Sequence, residues 1–290
     1  MAEEAWGRWG ADDQLGALNQ IGPEQVAAAA RLVKTGQRLS LAQPISSRMP
    51  VPPARPHVTH FMNRDGGDYA AGAKRTGGFQ FADDTIILPL HSGTHIDCLC
   101  HAWYGDKLYN GTSGSAVSSS GAARLGAETL PPIVTRGVLL DFFALSGGAL
   151  ADGTSIGVDW VRQACTRAGV TLRSGDAVLI RTGWQETRGS NGTADFNREP
   201  GLGVSAAEFL AEAGAAVIGA DNFAVEVMPF AEGTVFPVHQ RLLRDYGIPL
   251  LEGLVLAPLA AAGATEFLFV AAALPIVGAT GSPLTPIAVL

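Results

Sequence analysis

"HSGTHIDCLCH", residues 91–101, gathers three of the chain's six histidines, one aspartate and two of its three cysteines. Imidazole and carboxylate groups at such short spacing are the donors that zinc and manganese take. Gly93 and Thr94, following an apolar run, indicate a turn rather than a helix. His95 and Asp97, two positions apart, then project from one face of an extended strand. A lone histidine is usually satisfied within a polar loop, but three with an aspartate inside eleven residues favour a metal site. His101 reads either as a further ligand or as a proton carrier, because the ordinary imidazole pKa lies near neutrality. Cys98 and Cys100 have no second cysteine pair to complete a closed structural zinc site, so they read as apolar wall.

Three ligands do not close a site, and two polar residues downstream stand out against apolar surroundings. His239 follows "FP" on a short helical stretch, and Glu252 interrupts "IPLLEGLVL". A carboxylate buried there needs a partner. A metal ion supplies one, and an arginine such as Arg241 or Arg244 supplies another; spacing favours neither.

Around the motif, short apolar runs bounded by turn residues read as buried strands. They are "TIILPL" (85–90), "GVLLDFF" from Gly137, "DAVLIRTG" from Asp176, "AVIGAD" from Ala216, "PLLEGLVL" from Pro249 and "EFLFVAAALPIVG" from Glu266. Between them, "GPEQVAAAARLVKTG", "SIGVDWVRQACTRAG", "SAAEFLAEAG" and "FPVHQRLLRDYG" read as helices, the third with Ser205 and Glu208 in capping-box register. Residues 44–84 are rich in proline and glycine without a sustained period, the composition of a binding loop or lid. No repeat or linker divides the chain, so residues 1–290 read as one mixed α/β domain.

Composition narrows the function. Hydrophobic residues make up 47% and charged residues 16% of 290 positions, which argues against disorder. No apolar run approaches a membrane span, and no cluster of lysine and arginine offers a nucleic-acid footprint on a chain of net charge -7. A small-molecule substrate is the better expectation. With three cysteines and no secretory pattern at the start, a reducing cytoplasm is the default compartment. Neither G-x-S-x-G nor G-x-G-x-x-G after a strand is present, so nothing indicates a serine nucleophile or a dinucleotide.

The motif resembles the H-x-G-T-H-x-D-x-P-x-H signature of the putative cyclase family, which includes bacterial kynurenine formamidase and isatin hydrolase. "WGRWGADDQLGALNQI", "WYGDKLYNG", "GADNFAVEVMP" and "GATGSPLTPIAVL" resemble its longer branch, so the likeness covers nearly the whole chain. It implies a swivelling β/β/α fold with mixed sheets and flanking helices, assembled as a homodimer or larger homo-oligomer. It also implies roles: His91, His95, Asp97, His239 and Glu252 as ligands to one or two divalent ions, zinc or manganese, and His101 as the proton carrier. Leu99 stands where the family has proline, and the 44–84 segment is longer than in a compact formamidase. Branch members often carry glutamine at the position of His95, which this chain keeps.

The activity implied is a metal-dependent hydrolase that opens an amide, formamide, cyclic amide or lactone, with water activated by the metal and His101 moving the proton. Cyclisation or dehydration within one substrate leaves the same signature. A metal-stabilised binding protein without turnover fits less well, because a purely structural site is closed and needs no proton carrier. His60 and Phe61 in the long segment, with Trp103, Tyr104 and Tyr109, are candidates for an aromatic pocket around a planar substrate; ordinary packing is the competing reading for each.

Overall fold

The structure is a computed structural model that describes residues 5–189 and 194–290. Nine strands form one mixed sheet: β1 (Arg38–Ser40), β4 (His95–Asp97), β5 (Ile133–Asp141), β6 (Ala177–Arg181), β7 (Val217–Ala220), β8 (Leu250–Glu252), β9 (Glu266–Ala271), β10 (Gly281–Pro283) and β11 (Ile287–Val289). Their spatial order is β1-β11-β9-β5-β6-β7-β8-β4-β10. The central pairs from β5 to β8 are parallel, and the outer pairs on both sides are antiparallel.

Central parallel strands are covered on both faces, which is why they read as unbroken apolar runs. In β6, Val178 and Ile180 join one core while Ala177 and Leu179 join the other. The first core is roofed by α2 (Val158–Ala168) and α3 (Val204–Glu212), which bury Val161, Ala164, Ala206, Ala207 and Leu210. Each fully buried leucine, isoleucine or valine contributes about 1.5–3 kcal/mol relative to exposure. α1 (Pro23–Ala30) lies against β5 and β9.

Several expectations need correction. β5 ends at Asp141 because its carboxylate caps the helix Phe142–Ser146 through the Ala144 N–H. The N-cap of α3 is Gly203, so Ser205 lies inside the helix and no capping box forms with Glu208. Only the end of "TIILPL" reaches the interior, where Leu90 packs against the first core. Instead β3 (Asp83–Ile87) pairs with β2 (Thr59–Arg64) in a separate two-stranded ribbon whose Phe61, Met62, Ile86 and Ile87 are exposed. The 44–84 segment therefore carries regular structure. "FPVHQRLLRDYG" opens as the short α-turn Pro237–His239 and continues in π-helical form over Gln240–Tyr246. Among the described residues, no helix is long and apolar enough to cross a membrane.

Candidate metal centre

The site is built on β4, which runs antiparallel between β8 and β10. Glu252 pairs with His95 across one edge of β4, and Asp97 lies two residues on, so these three side chains share a face. Ile96 and Leu251 alternate to the other face and pack into the second core. His95 and Asp97 thus project from one face of the strand, as their spacing predicts. The turn before β4 uses Gly93, whose φ of 63° lies in the left-handed region that favours glycine. On the other edge of β4, a Cβ on Gly281 would lie 2.4 Å from His91 Cε1, so only glycine lets that ring approach.

His239 arrives from its short helix with Nε2 3.1 Å from one Glu252 oxygen and 3.5 Å from Asp97 Oδ2. His95 Nε2 approaches the other Glu252 oxygen at 3.1 Å and Asp97 Oδ1 at 3.5 Å. His95 Nδ1 bonds the Gly93 carbonyl, which directs Nε2 at the carboxylates. Neither Arg241 nor Arg244 compensates Glu252. Arg241 pairs with Glu208 and Asp245, and Arg244 with Asp245.

His95, Asp97, His239 and Glu252 are all buried. Burial acts to lower the pKa of His95, but Asp97 and Glu252 outweigh it and raise it to about 10. The same opposition raises His239 well above its ordinary value. Burial pushes the Asp97 carboxyl upward, yet His101, His91 and His239 hold it well below the usual range. Glu252 is likewise lowered, by His239 and His95 against burial and Asp97. Two carboxylates thus share a dry space and draw positive charge onto the adjacent imidazoles. His95 Nε2 and Asp97 Oδ2 lie within reach of these groups but in no hydrogen-bond geometry with any described residue. A divalent cation fits this donor set, since two carboxylates and two imidazoles would meet it without leaving charge unpaired.

Donor atoms meet in two groups that share Asp97: His95, Asp97 and Glu252, and His91, Asp97 and His101. Both ring nitrogens of His91 are engaged, Nδ1 with Asp97 Oδ1 at 2.6 Å and Nε2 with Thr280 Oγ1 at 2.9 Å. For His91 to serve as a ligand, a cation must replace one of these bonds. The His101 ring stacks on His91 at 3.9 Å, and burial lowers its pKa to about 4 against the pull of Asp97. His101 is therefore a neutral base beside the charged cluster.

The other expected residues make their contacts elsewhere among the described residues. His60 is half exposed and bonds Asp84 across the ribbon, where Phe61 is also exposed. The Tyr104 hydroxyl donates to Asp245, and its ring lies under the Arg244 guanidinium. Tyr109 is fully buried with its hydroxyl on Asp13. Trp103 sits at the surface against Gly114. Cys98 and Cys100 are fully buried in the first core, their thiol pKa values pushed up by burial, to about 12 for Cys100, so packing is their role.

Three contributors were not foreseen. Glu226 accepts from His239 Nδ1, Thr280 holds His91, and Arg55 from the 44–84 segment donates to the His91 carbonyl. "GADNFAVEVMP" contains Glu226 in apolar surroundings, the same signal that singled out Glu252. Nothing local distinguishes Thr280 or Arg55.

A family model described as "Putative cyclase" matches residues 39–227. A search of curated proteins finds no match. Among solved structures, one described as a novel cyclase is 40% identical, with 99% of this chain and 100% of that chain covered and a TM-score of 0.92. Isatin hydrolase A from Labrenzia aggregata, solved with benzyl benzoate, is 20% identical over 91% of this chain and 97% of its own, with a TM-score of 0.64. A structure described as a potential metal-dependent hydrolase with cyclase activity is 20% identical over 87% and 98%, with a TM-score of 0.56. The last two are likenesses of fold. The family match takes in the whole 91–101 motif and Glu226, and the 40% relative spans the remainder: the chain belongs to the putative cyclase family.

Proposed function

We propose that the protein is a metal-dependent hydrolase of an amide, formamide, cyclic amide or lactone. The observation that carries this reading is the convergence of His95, Asp97, His239 and Glu252 in a buried space beside His101, a base with no hydrogen-bond partner for its ring among the described residues. When bound, a divalent cation, zinc or manganese, supplies Lewis acidity that polarises a carbonyl and brings the pKa of water toward neutrality.

The chain's own groups do the rest. His101 takes a proton from the attacking water and returns it to the leaving nitrogen or oxygen, a role that requires the neutral imidazole its burial favours. Stacking on His91 fixes the His101 ring, and Asp97, facing both, stabilises the imidazolium formed in between. Glu226 and the Gly93 carbonyl fix the orientations of His239 and His95. The 40%-identical relative is described as a cyclase, which favours cyclisation as the second reading; there His101 would deprotonate a nucleophile within the substrate instead of water.

Metal analysis of the purified protein, followed by a panel of aryl formamides, cyclic imides and lactones, tests this. Stoichiometric zinc or manganese with hydrolysis of one class supports the hydrolase. A protein that retains neither ion and binds neither on addition overturns it, and ring closure of an open-chain acid without hydrolysis of any class selects the cyclase.

A further inference from the structure

Arg55 is half-buried and has no ion-pair partner among the described residues. One of its five N–H donors goes to the His91 carbonyl, and its guanidinium lies over the Phe223 ring at 5.0 Å. Burial works against its charge, and the groups that favour it are Glu252 and Asp97, which places the guanidinium in the field of the metal cluster. Once those two carboxylates are neutralised by a divalent cation, they no longer balance Arg55. A positive charge with unused donors then stands beside the reacting centre.

Phe223 also lines a shallow cleft beside Arg55. Phe223 meets Phe196 edge-on at 5.1 Å, and Phe196 meets Trp184 at 5.8 Å, giving a row of aromatic rings. Ser92 also lines the cleft, and among the described residues no acidic one does. Ser92 Oγ and Trp184 Nε1 are buried without a hydrogen-bond partner among the described residues. Such atoms are costly to leave unpaired, and both can donate. The cleft therefore offers aromatic walls and two unpartnered groups able to donate.

We propose that Arg55 is a specificity-determining residue that receives a carboxylate carried by an aromatic substrate, so that the enzyme prefers anionic aryl substrates to their neutral counterparts. The inference rests on the hydrolase reading for its substrate and on the Arg55 geometry for its charge. Loss of one charge-assisted hydrogen bond changes affinity about 10- to 100-fold.

The test uses metal-loaded protein in two assays. Calorimetry compares benzenesulfonate, a poor metal ligand, with methyl phenyl sulfone. Kinetics compare 2-, 3- and 4-formamidobenzoate with the matching benzamides. Wild type is expected to favour the anion about 10- to 100-fold in both, through Kd and KM rather than kcat. Arg55→Met should abolish the preference with metal content unchanged, and Arg55→Lys should restore part of it. An equal preference in Arg55→Met, or no preference for any anion in wild type, overturns the proposal. If no formamide, cyclic imide or lactone is hydrolysed yet benzenesulfonate binding still depends on Arg55, the hydrolase reading fails while the anion subsite stands.

Discussion

Glu226 holds His239 through both its backbone and its ring. One carboxylate oxygen accepts from the His239 N–H at 3.0 Å and lies 2.6 Å from Nδ1, while the other accepts from the Val238 N–H at 3.1 Å. The carboxylate thus caps the short helix and fixes the tautomer that leaves Nε2 facing Glu252. Glu226→Gln would present an amide NH₂ to one of these donors. Metal affinity, measured against a competing chelator, should fall about 10- to 100-fold.

His101 should behave differently. In His101→Ala, metal content is expected to remain at the wild-type level while turnover falls about 10²- to 10⁴-fold. Metal analysis beside steady-state kinetics checks both, and loss of the ion would make His101 a ligand in the group it forms with His91 and Asp97.

Removing the metal should cost stability. Binding to the folded chain at free ion about 100 times Kd contributes about 2.7 kcal/mol. For a domain of this size the melting temperature should drop about 5–10 °C after chelation and recover on readdition. Calorimetric melting that ignores the ion would place the donors elsewhere.

Tyr109→Phe separates packing from substrate contact. The hydroxyl of the buried Tyr109 donates to Oδ2 of the partly exposed Asp13 at 3.0 Å, so its loss should destabilise by about 1 kcal/mol. Turnover at a temperature where both proteins are folded should be unchanged.

The period-two placement of His95 and Asp97 was legible because a strand alternates whatever its neighbours do. The central strands were legible for a related reason, since burial on both faces leaves an unbroken apolar run, as in Val178–Ile180. Glu252 was visible as a charge in such a run, but its partners lie on another strand and a helix, so spacing could not choose between a metal and an arginine. Thr280 and Arg55 act through positions that the sheet and the 44–84 segment bring together, and neither breaks a local pattern. The aromatic expectation failed at Tyr104 and Tyr109 because ring content does not reveal that Asp245 and Asp13 already take their hydroxyls.

β4 is flanked by β8 and β10, strands that follow it by about 150 and 190 residues in the chain. During synthesis the motif at 91–101 therefore waits with both strand edges unpaired until residues 250–252 and then 281–283 emerge. An early histidine- and aspartate-bearing segment must stay free of wrong partners through most of translation. The candidate metal centre is accordingly among the last parts of the molecule to be born, and its appearance would mark a finished fold.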